Sequence, residues 1–261
     1  MIRNNIARFK WFLKNRVHIN PNSQLLTQWF GPEYPFTYDT DGLATSNNAD
    51  FIKDPRFAKA YAAAAATSPW QGFTLQWRVY ICCYFASLVK KLEGDYVECG
   101  VNTGAYSRAV IDYIDFNTLH KKFYLLDTFE GFPLEQITEQ EKLAGVGVYG
   151  GGHYKDVHLQ VIDTFKDFNV KIIKGRVPAT LAECDAAKIA YLSIDMNAVA
   201  PEIAAAEYFW NKVVLGGVIL LDDYGFPMHI NQKLAFDRFA REKNVEILSL
   251  PTGQGIIIKN N

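Results

Sequence analysis

From Trp70 onward the chain repeats one pattern: a short apolar run that stops at an acid or a glycine, then a helical stretch, then another run. Tyr96-Val97-Glu98-Cys99 runs into Gly100, Phe123-Tyr124-Leu125-Leu126 into Asp127, and the run 189–194 into Asp195. Lys171-Ile172-Ile173 is a further run, and Val218-Ile219-Leu220-Leu221 ends at the pair Asp222-Asp223. Strands this apolar, separated by helices, require a parallel sheet covered on both faces. The intervening patterns predict helices over 75–92, 106–113, 200–212 and 232–243, with Gly216-Gly217 turning the chain into the fifth strand. Segments 245–250 and 255–259, joined by a short turn at Pro251, read as an antiparallel hairpin. The expected fold class is α/β, a doubly wound, mostly parallel seven-stranded sheet with a C-terminal hairpin.

Residues 70–261 carry that sheet, and residues 1–69 read as an N-terminal appendage of loop and helix. Asp54-Pro55 supplies an N-cap and a first-turn proline, and Thr67-Ser68-Pro69 stops the helix that follows. Residues 1–16 hold five basic side chains, with Ile2, Ile6, Phe9, Phe12 and Leu13 at near-helical spacing. Packing on a partner subunit, or as part of a lid, is favoured there over a membrane surface, which makes a homo-oligomer contact through the N-terminal region an expectation.

Composition closes off several function classes. Lys+Arg number 27 against 28 Asp+Glu, so no basic excess exists to neutralise a nucleic-acid backbone. A hydrophobic share of 49% excludes intrinsic disorder. No apolar run reaches transmembrane length, and the N-terminus has no secretory pattern. Cys82, Cys83, Cys99 and Cys184 show no metal or disulfide spacing and read as reduced, buried thiols of a cytoplasmic protein. The histidines, His153 and His158 among them, form no zinc pattern.

Ligands of doubly wound sheets bind beyond the carboxyl ends of the strands, so those ends hold the candidate chemistry. Strand one delivers Gly100-Val101-Asn102-Thr103-Gly104, a turn whose glycines admit close backbone approach to a ligand. The dinucleotide fingerprint GxGxxG is absent, because Asn102 stands at its second glycine. Asp127 is placed either to accept both hydroxyls of a ribose or to cap the turn after it. Asp195, Asp222 and Asp223 should share one crevice; each taken singly could cap the helix after its strand, but with no base near them in sequence three acids together call for a cation. Their hard oxygens suit Mg²⁺, Mn²⁺ or Ca²⁺ rather than zinc. The glycine-rich stretch 145–152 is either a lid or a flexible insertion. Arg78 is either a site contact or, the reading favoured, an ion-pair or surface residue.

The pattern resembles class I S-adenosylmethionine-dependent methyltransferases and, more closely, the TylF-type (macrocin O-methyltransferase-like) family. The resemblance is carried by Gly94-Asp95-Tyr96-Val97-Glu98-Cys99-Gly100-Val101 with Gly104, and by Leu125-Leu126-Asp127-Thr128-Phe129-Glu130-Gly131-Phe132-Pro133. Lys174-Gly175, Thr180-Leu181 and Leu221-Asp222-Asp223-Tyr224-Gly225 extend it, so that it covers the chain from about residue 75 to the C-terminus. It implies an O-methyltransferase with S-adenosyl-L-methionine and a divalent metal, Mg²⁺ being the expected ion, acting on a small hydroxylated acceptor such as a sugar or a glycosylated natural product.

By position, the resemblance assigns Glu98, Gly100, Asn102, Gly104 and Ser107 to the methionine end of the cofactor and Asp127 to its ribose. Thr128, Phe129, Gly175 and Arg176 fall at the adenine end. Asp195, Asp222 and Asp223 become the metal set, with Asp195 also beside the cofactor and the candidate base. Tyr224, His229 and Gln232 are candidates for substrate contact. One departure stands out. Where the family commonly reads Asp-Gly-Asp followed by a Tyr-Glu-Ser-Thr-like run, this chain has Asp195-Met196-Asn197-Ala198-Val199-Ala200-Pro201. Asn197 still offers a carbonyl oxygen, but the residues expected to meet the acceptor are changed. An NAD-linked oxidoreductase and a non-catalytic module on the same fold are the competing functions.

Overall fold

The computed structural model describes residues 36–69, 73–131, 133–146 and 156–261. The basic segment 1–16 and most of the glycine-rich stretch 145–152 lie outside them. Of the two compact units into which the chain divides, the first contributes only 36–39 and 44–48 to the description; there Thr37 N–H donates to Thr45 O at 2.9 Å. The second unit, residues 40–43 and 49–261, carries the main sheet and its helices.

The strands and helices, in chain order, are β1 (Tyr38–Thr40), β2 (Leu43–Thr45), α1 (Pro55–Ala66), α2 (Gln76–Leu88), β3 (Asp95–Cys99), α3 (Ala105–Ile114), β4 (Phe123–Asp127) and α4 (Glu139–Ala144). After them come α5 (His158–Phe165), β5 (Val170–Lys174), β6 (Ile189–Ile194), α6 (Val199–Trp210), β7 (Val213–Leu221), α7 (Ile230–Lys243), β8 (Leu248–Ser249) and β9 (Gly255–Ile258). The local chemistry matches the elements. Asp54 caps α1 by accepting from Phe57 N–H at 3.0 Å, with Pro55 in the first turn. Thr138 and Glu141 make a reciprocal capping box on α4. α1 falls in the same compact unit as the sheet.

Seven strands form the main sheet in the order β5-β4-β3-β6-β7-β9-β8. β3, β4, β5, β6 and β7 run parallel, while β9 is antiparallel to both β7 and β8. Alternate residues point to opposite faces, and each face has its own core. Tyr96, Leu125, Tyr191 and Leu220 pack with Phe57, Val79, Ala109 and Val161 of helices α1, α2, α3 and α5. Val97, Leu126, Leu192 and Ile219 pack with Ala205, Phe209, Phe236 and Phe239 of α6 and α7. The chain leaves β3 outward to β4 and β5, then returns to the other side of β3 for β6 and β7. That reversal opens a crevice at the carboxyl ends of β3 and β6.

Three expectations change. Gly216-Gly217 is not a turn before the fifth strand: β7 is continuous from Val213, and five steps along it are set against two along β6. Gly216 takes φ +78° inside this bulge. The helix expected over 75–92 ends at Leu88, and the hairpin strand expected over 245–250 narrows to Leu248–Ser249. All four cysteines are free and buried.

Candidate active site

One cavity occupies the switch-point crevice. On its β3–β4 side the wall includes Gly100, Asn102, Asp127, Thr128, Phe129 and Gly175. On its β6–β7 side it includes Asp195, Asn197, Asp222 and Asp223, together with Arg78 and Tyr106. Gly100 adopts φ +89°, and a Cβ there would lie 1.8 Å from the carbonyl oxygen of Asp195, so the backbone after β3 meets the end of β6 directly. Asn102, Phe129 and Asn197, each just beyond a strand end, hold φ of 50°, 56° and 58°. Strained residues of this kind concentrate at functional sites. Asn102 thus takes the left-handed turn that a glycine would, a conformation asparagine tolerates well.

Asp127 organises this side. Its Oδ2 accepts from the N–H groups of Val101 (2.6 Å) and Asn102 (2.8 Å), and its Oδ1 accepts from Phe129 N–H at 2.6 Å. The Thr128 hydroxyl is given to Gly131 O at 2.7 Å. A carboxylate has about four lone-pair directions, and three backbone donors fill three of them. Asp127 therefore clamps the glycine loop and the following turn together, which is the capping role that the sequence offered as one of its two readings.

The remaining residues assigned to the cofactor divide into two groups. Glu98 and Ser107 are buried behind the loop: Ser107 donates its hydroxyl to Glu98, and burial pushes the Glu98 carboxyl up to about 8. Gly104 is the N-cap residue of α3 and is kept small by Phe165, whose ring would lie 2.4 Å from a Cβ. Arg176 is exposed and paired with Glu135. These four do not line the cavity, whereas Gly100, Asn102, Thr128, Phe129 and Gly175 do. The imidazole of His158, the first residue of α5, stacks on Phe129 at 5.2 Å.

Across the cavity, Asp195, Asp222 and Asp223 each offer a carboxylate oxygen, and the three oxygens lie within 4.8 Å of one another. No base lies near these acids in sequence, but the fold brings one to them in space. Arg78 Nη2 reaches Asp222 Oδ2 at 2.9 Å and Asp223 Oδ1 at 3.3 Å, and its Nε lies 3.7 Å from Asp41 Oδ2. Asp222 also accepts from Gln254 Nε2 at 3.0 Å and from the Tyr106 hydroxyl at 3.4 Å. Asn197 Nδ2 donates to Asp195 Oδ1 at 3.1 Å.

Burial raises the pKa of Asp195, and Asp222 and Asp223 raise it further. Burial also raises that of Asp222, with Arg78 opposing. Asp41 is pushed up to about 6, first by burial. Three carboxyl groups face one guanidinium, so the cluster relieves its repulsion either by keeping a proton or by taking up a cation. Its all-oxygen donor set therefore fits a hard divalent cation.

Behind the cluster lies a second polar layer. Glu202, pushed up to about 8 by burial, accepts from Met196 N–H and Asn197 N–H, both at 2.9 Å, and so fixes the loop after β6. Glu141 of α4 accepts from Val199 N–H at 2.7 Å at the start of α6. His229 and Gln232 hydrogen-bond to each other, and His229 Nε2 faces Asp223 Oδ2 at 3.6 Å. Neither lines the cavity. Tyr224 points elsewhere: its hydroxyl donates to Asp237 at 2.6 Å and accepts from Lys233 at 3.2 Å, both on α7. The structure thus gives the three candidate substrate residues other partners.

Sequence reasoning missed Asp41, Tyr106, Glu202 and Gln254 altogether. Arg78 carried a usable signal, as the one charged residue of the apolar helix α2, where a buried charge must find partners.

The comparisons agree with this architecture. The family model described as macrocin-O-methyltransferase (TylF) matches residues 52–248. No curated protein matches the chain. Among solved structures, the O-methyltransferase NovP superposes with a TM-score of 0.61 at 19% identity, over 70% of this chain and 80% of NovP. The calicheamicin methyltransferase CalS11 gives 0.59 at 16% identity, over 87% and 96% of the two chains. An O-methyltransferase from Bacillus cereus in complex with SAH gives 0.52 at 12% identity, over 80% and 96%. At such identities the likeness carries the fold, a Rossmann-like methyltransferase sheet.

Proposed function

The chain belongs to the macrocin-O-methyltransferase (TylF) family, and from that premise we propose an S-adenosylmethionine-dependent O-methyltransferase that uses a divalent cation, Mg²⁺ in the first instance. Its acceptor is a small polyhydroxy compound of the sugar or glycosylated natural-product class. The observation that carries this reading is one crevice with a glycine-turned loop and an acid of ribose-binding type on one side and three converging carboxylates on the other. CalS11 is described as a TDP-rhamnose 3'-O-methyltransferase, which supports a sugar acceptor by analogy alone.

Gly100 and Gly175, without side chains, let the cofactor approach the backbone, Asn102 and Asp127 supply polar contacts, and Phe129 an apolar wall. Asp195, Asp222 and Asp223 hold the cation. When bound, the sulfonium provides an activated methyl group and the cation a Lewis acid that acidifies a hydroxyl. The protein's own part is positioning and proton removal. Asn197 donates to Oδ1 of Asp195 and so orients this carboxylate, the candidate base for the acceptor's hydroxyl proton. Glu202 keeps Asn197 in its left-handed turn, and Arg78 keeps Asp222 and Asp223 from splaying. The free, buried cysteines support a reducing, cytoplasmic setting.

The test is transfer of a labelled methyl group from S-adenosylmethionine to a panel of sugars and glycosides, in Mg²⁺ and in EDTA. Label transfer that requires Mg²⁺ and disappears in Asp195→Asn is expected. Transfer that persists undiminished in EDTA overturns the metal, and transfer confined to acceptors without hydroxyls overturns the reaction class.

A further inference from the structure

Arg78 is buried, lines the cavity and bridges two of the three acids through a single nitrogen, Nη2. Its Nε extends the bridge toward Asp41, and its guanidinium lies 4.9 Å from the centre of the Phe226 ring. Gln254 and Tyr106 complete the shell of Asp222, so this carboxylate has its donors before any ion arrives. A guanidinium cannot lose its charge here; the surrounding acids hold its pKa well above the ordinary value against the burial that opposes it. The site therefore contains a permanent cation among the carboxylates a divalent ion would use.

We propose that Arg78 is a built-in counter-ion that competes with the divalent cation for Asp222 and Asp223. It keeps the empty cluster from repelling itself apart and holds the affinity for the ion down, so that the ion is exchangeable. This rests on the metal reading above and adds a role that reading does not require. Like charges in a poorly hydrated site repel strongly, so a guanidinium at hydrogen-bond distance from a ligand weakens ion binding. A merely structural arginine would do the opposite: its loss would disorder the acids and weaken binding.

The experiment is a Mn²⁺ titration followed by electron paramagnetic resonance, on the wild-type chain and on Arg78→Met, Arg78→Lys and Asp195→Asn, with melting curves in Mn²⁺ and in EDTA. Arg78→Met is expected to bind one Mn²⁺ at least tenfold more tightly than wild type and to gain more in melting temperature from it. Arg78→Lys, which keeps the charge, should stay within about threefold of wild type, and Asp195→Asn should lose binding. A variant that folds only with Mn²⁺ supports the same conclusion.

Equal or weaker binding by Arg78→Met, with wild type binding normally, overturns the counter-ion role and leaves the metal reading intact. Binding by neither protein overturns the metal reading itself. If Arg78→Met folds in neither buffer, wild type still decides. Saturating Mg²⁺ must move the Arg78 Nε–H resonance, assigned by its absence from Arg78→Lys, and an unmoved resonance refutes the competition.

Discussion

Gly100 and Gly145 separate what a backbone conformation costs from what a close approach costs. Both hold left-handed φ, +89° and +101°. Around Gly145 an added Cβ meets nothing within 4 Å among the described residues, whereas at Gly100 it lies 1.8 Å from Asp195 O and 2.4 Å from the carbonyl carbon. Gly145→Ala is therefore charged only for the left-handed conformation, about 1–2 kcal/mol. Gly100→Ala bears that cost and must also push β3 and β6 apart at their carboxyl ends. The bond at risk is Asp195 N–H to Cys99 O at 2.8 Å. At roughly 1 kcal/mol, it brings the loss to about 2–3 kcal/mol. Urea unfolding of both variants measures the difference, and titration with S-adenosylhomocysteine should show binding retained by Gly145→Ala and lost by Gly100→Ala. If Gly100→Ala unfolds within 0.5 kcal/mol (an order-of-magnitude tolerance) of Gly145→Ala, the direct meeting of the two strand ends is refuted.

Other predictions follow from the buried acids, the thiols and Tyr224. Glu98 and Glu202 keep protons in the folded chain up to about pH 8 that the unfolded chain releases near 4.5, so stability falls as pH rises through that window. Glu202→Gln should flatten the fall in melting temperature between pH 5 and pH 8 (approximate limits), and an unchanged slope would count against the assignment. Burial raises the thiol pKa of all four cysteines, so a thiol reagent should leave the native protein unlabelled and label all four after denaturation; fast native labelling would contradict their burial. Tyr224→Phe removes hydrogen bonds to α7 outside the cavity, so it should cost about 1 kcal/mol of stability and leave the KM for the acceptor unchanged; a raised KM would return Tyr224 to the substrate site.

How far the sequence could be read depended on whether each signal was local. Strands buried on both faces are nearly continuous apolar runs, so Ile189–Ile194 was legible to the residue and the acids ending the strands marked the crevice. Gly216-Gly217 misled because paired glycines mark turns and bulges alike, and only the partner strand distinguishes the two. The short helices α4 and α5 flank the glycine-rich stretch and were not anticipated, because their helical periods are too few to stand out. In the site, the residues on strand ends were found, whereas Arg78, Tyr106 and Gln254 reach Asp222 from 144, 116 and 32 positions away along the chain. Asp127 shows the converse limit: its position was legible, but three of its four lone pairs go to loop N–H groups that only the folded backbone brings there.

The most direct test of the central claim is isothermal titration of the purified chain with S-adenosylhomocysteine, in Mg²⁺ and again in EDTA, beside Asp127→Ala. The account predicts micromolar binding by the wild-type chain in both buffers and none by the variant, since losing Asp127 removes a cofactor contact and unties the loop. Absence of binding by the wild-type chain in both buffers would contradict it.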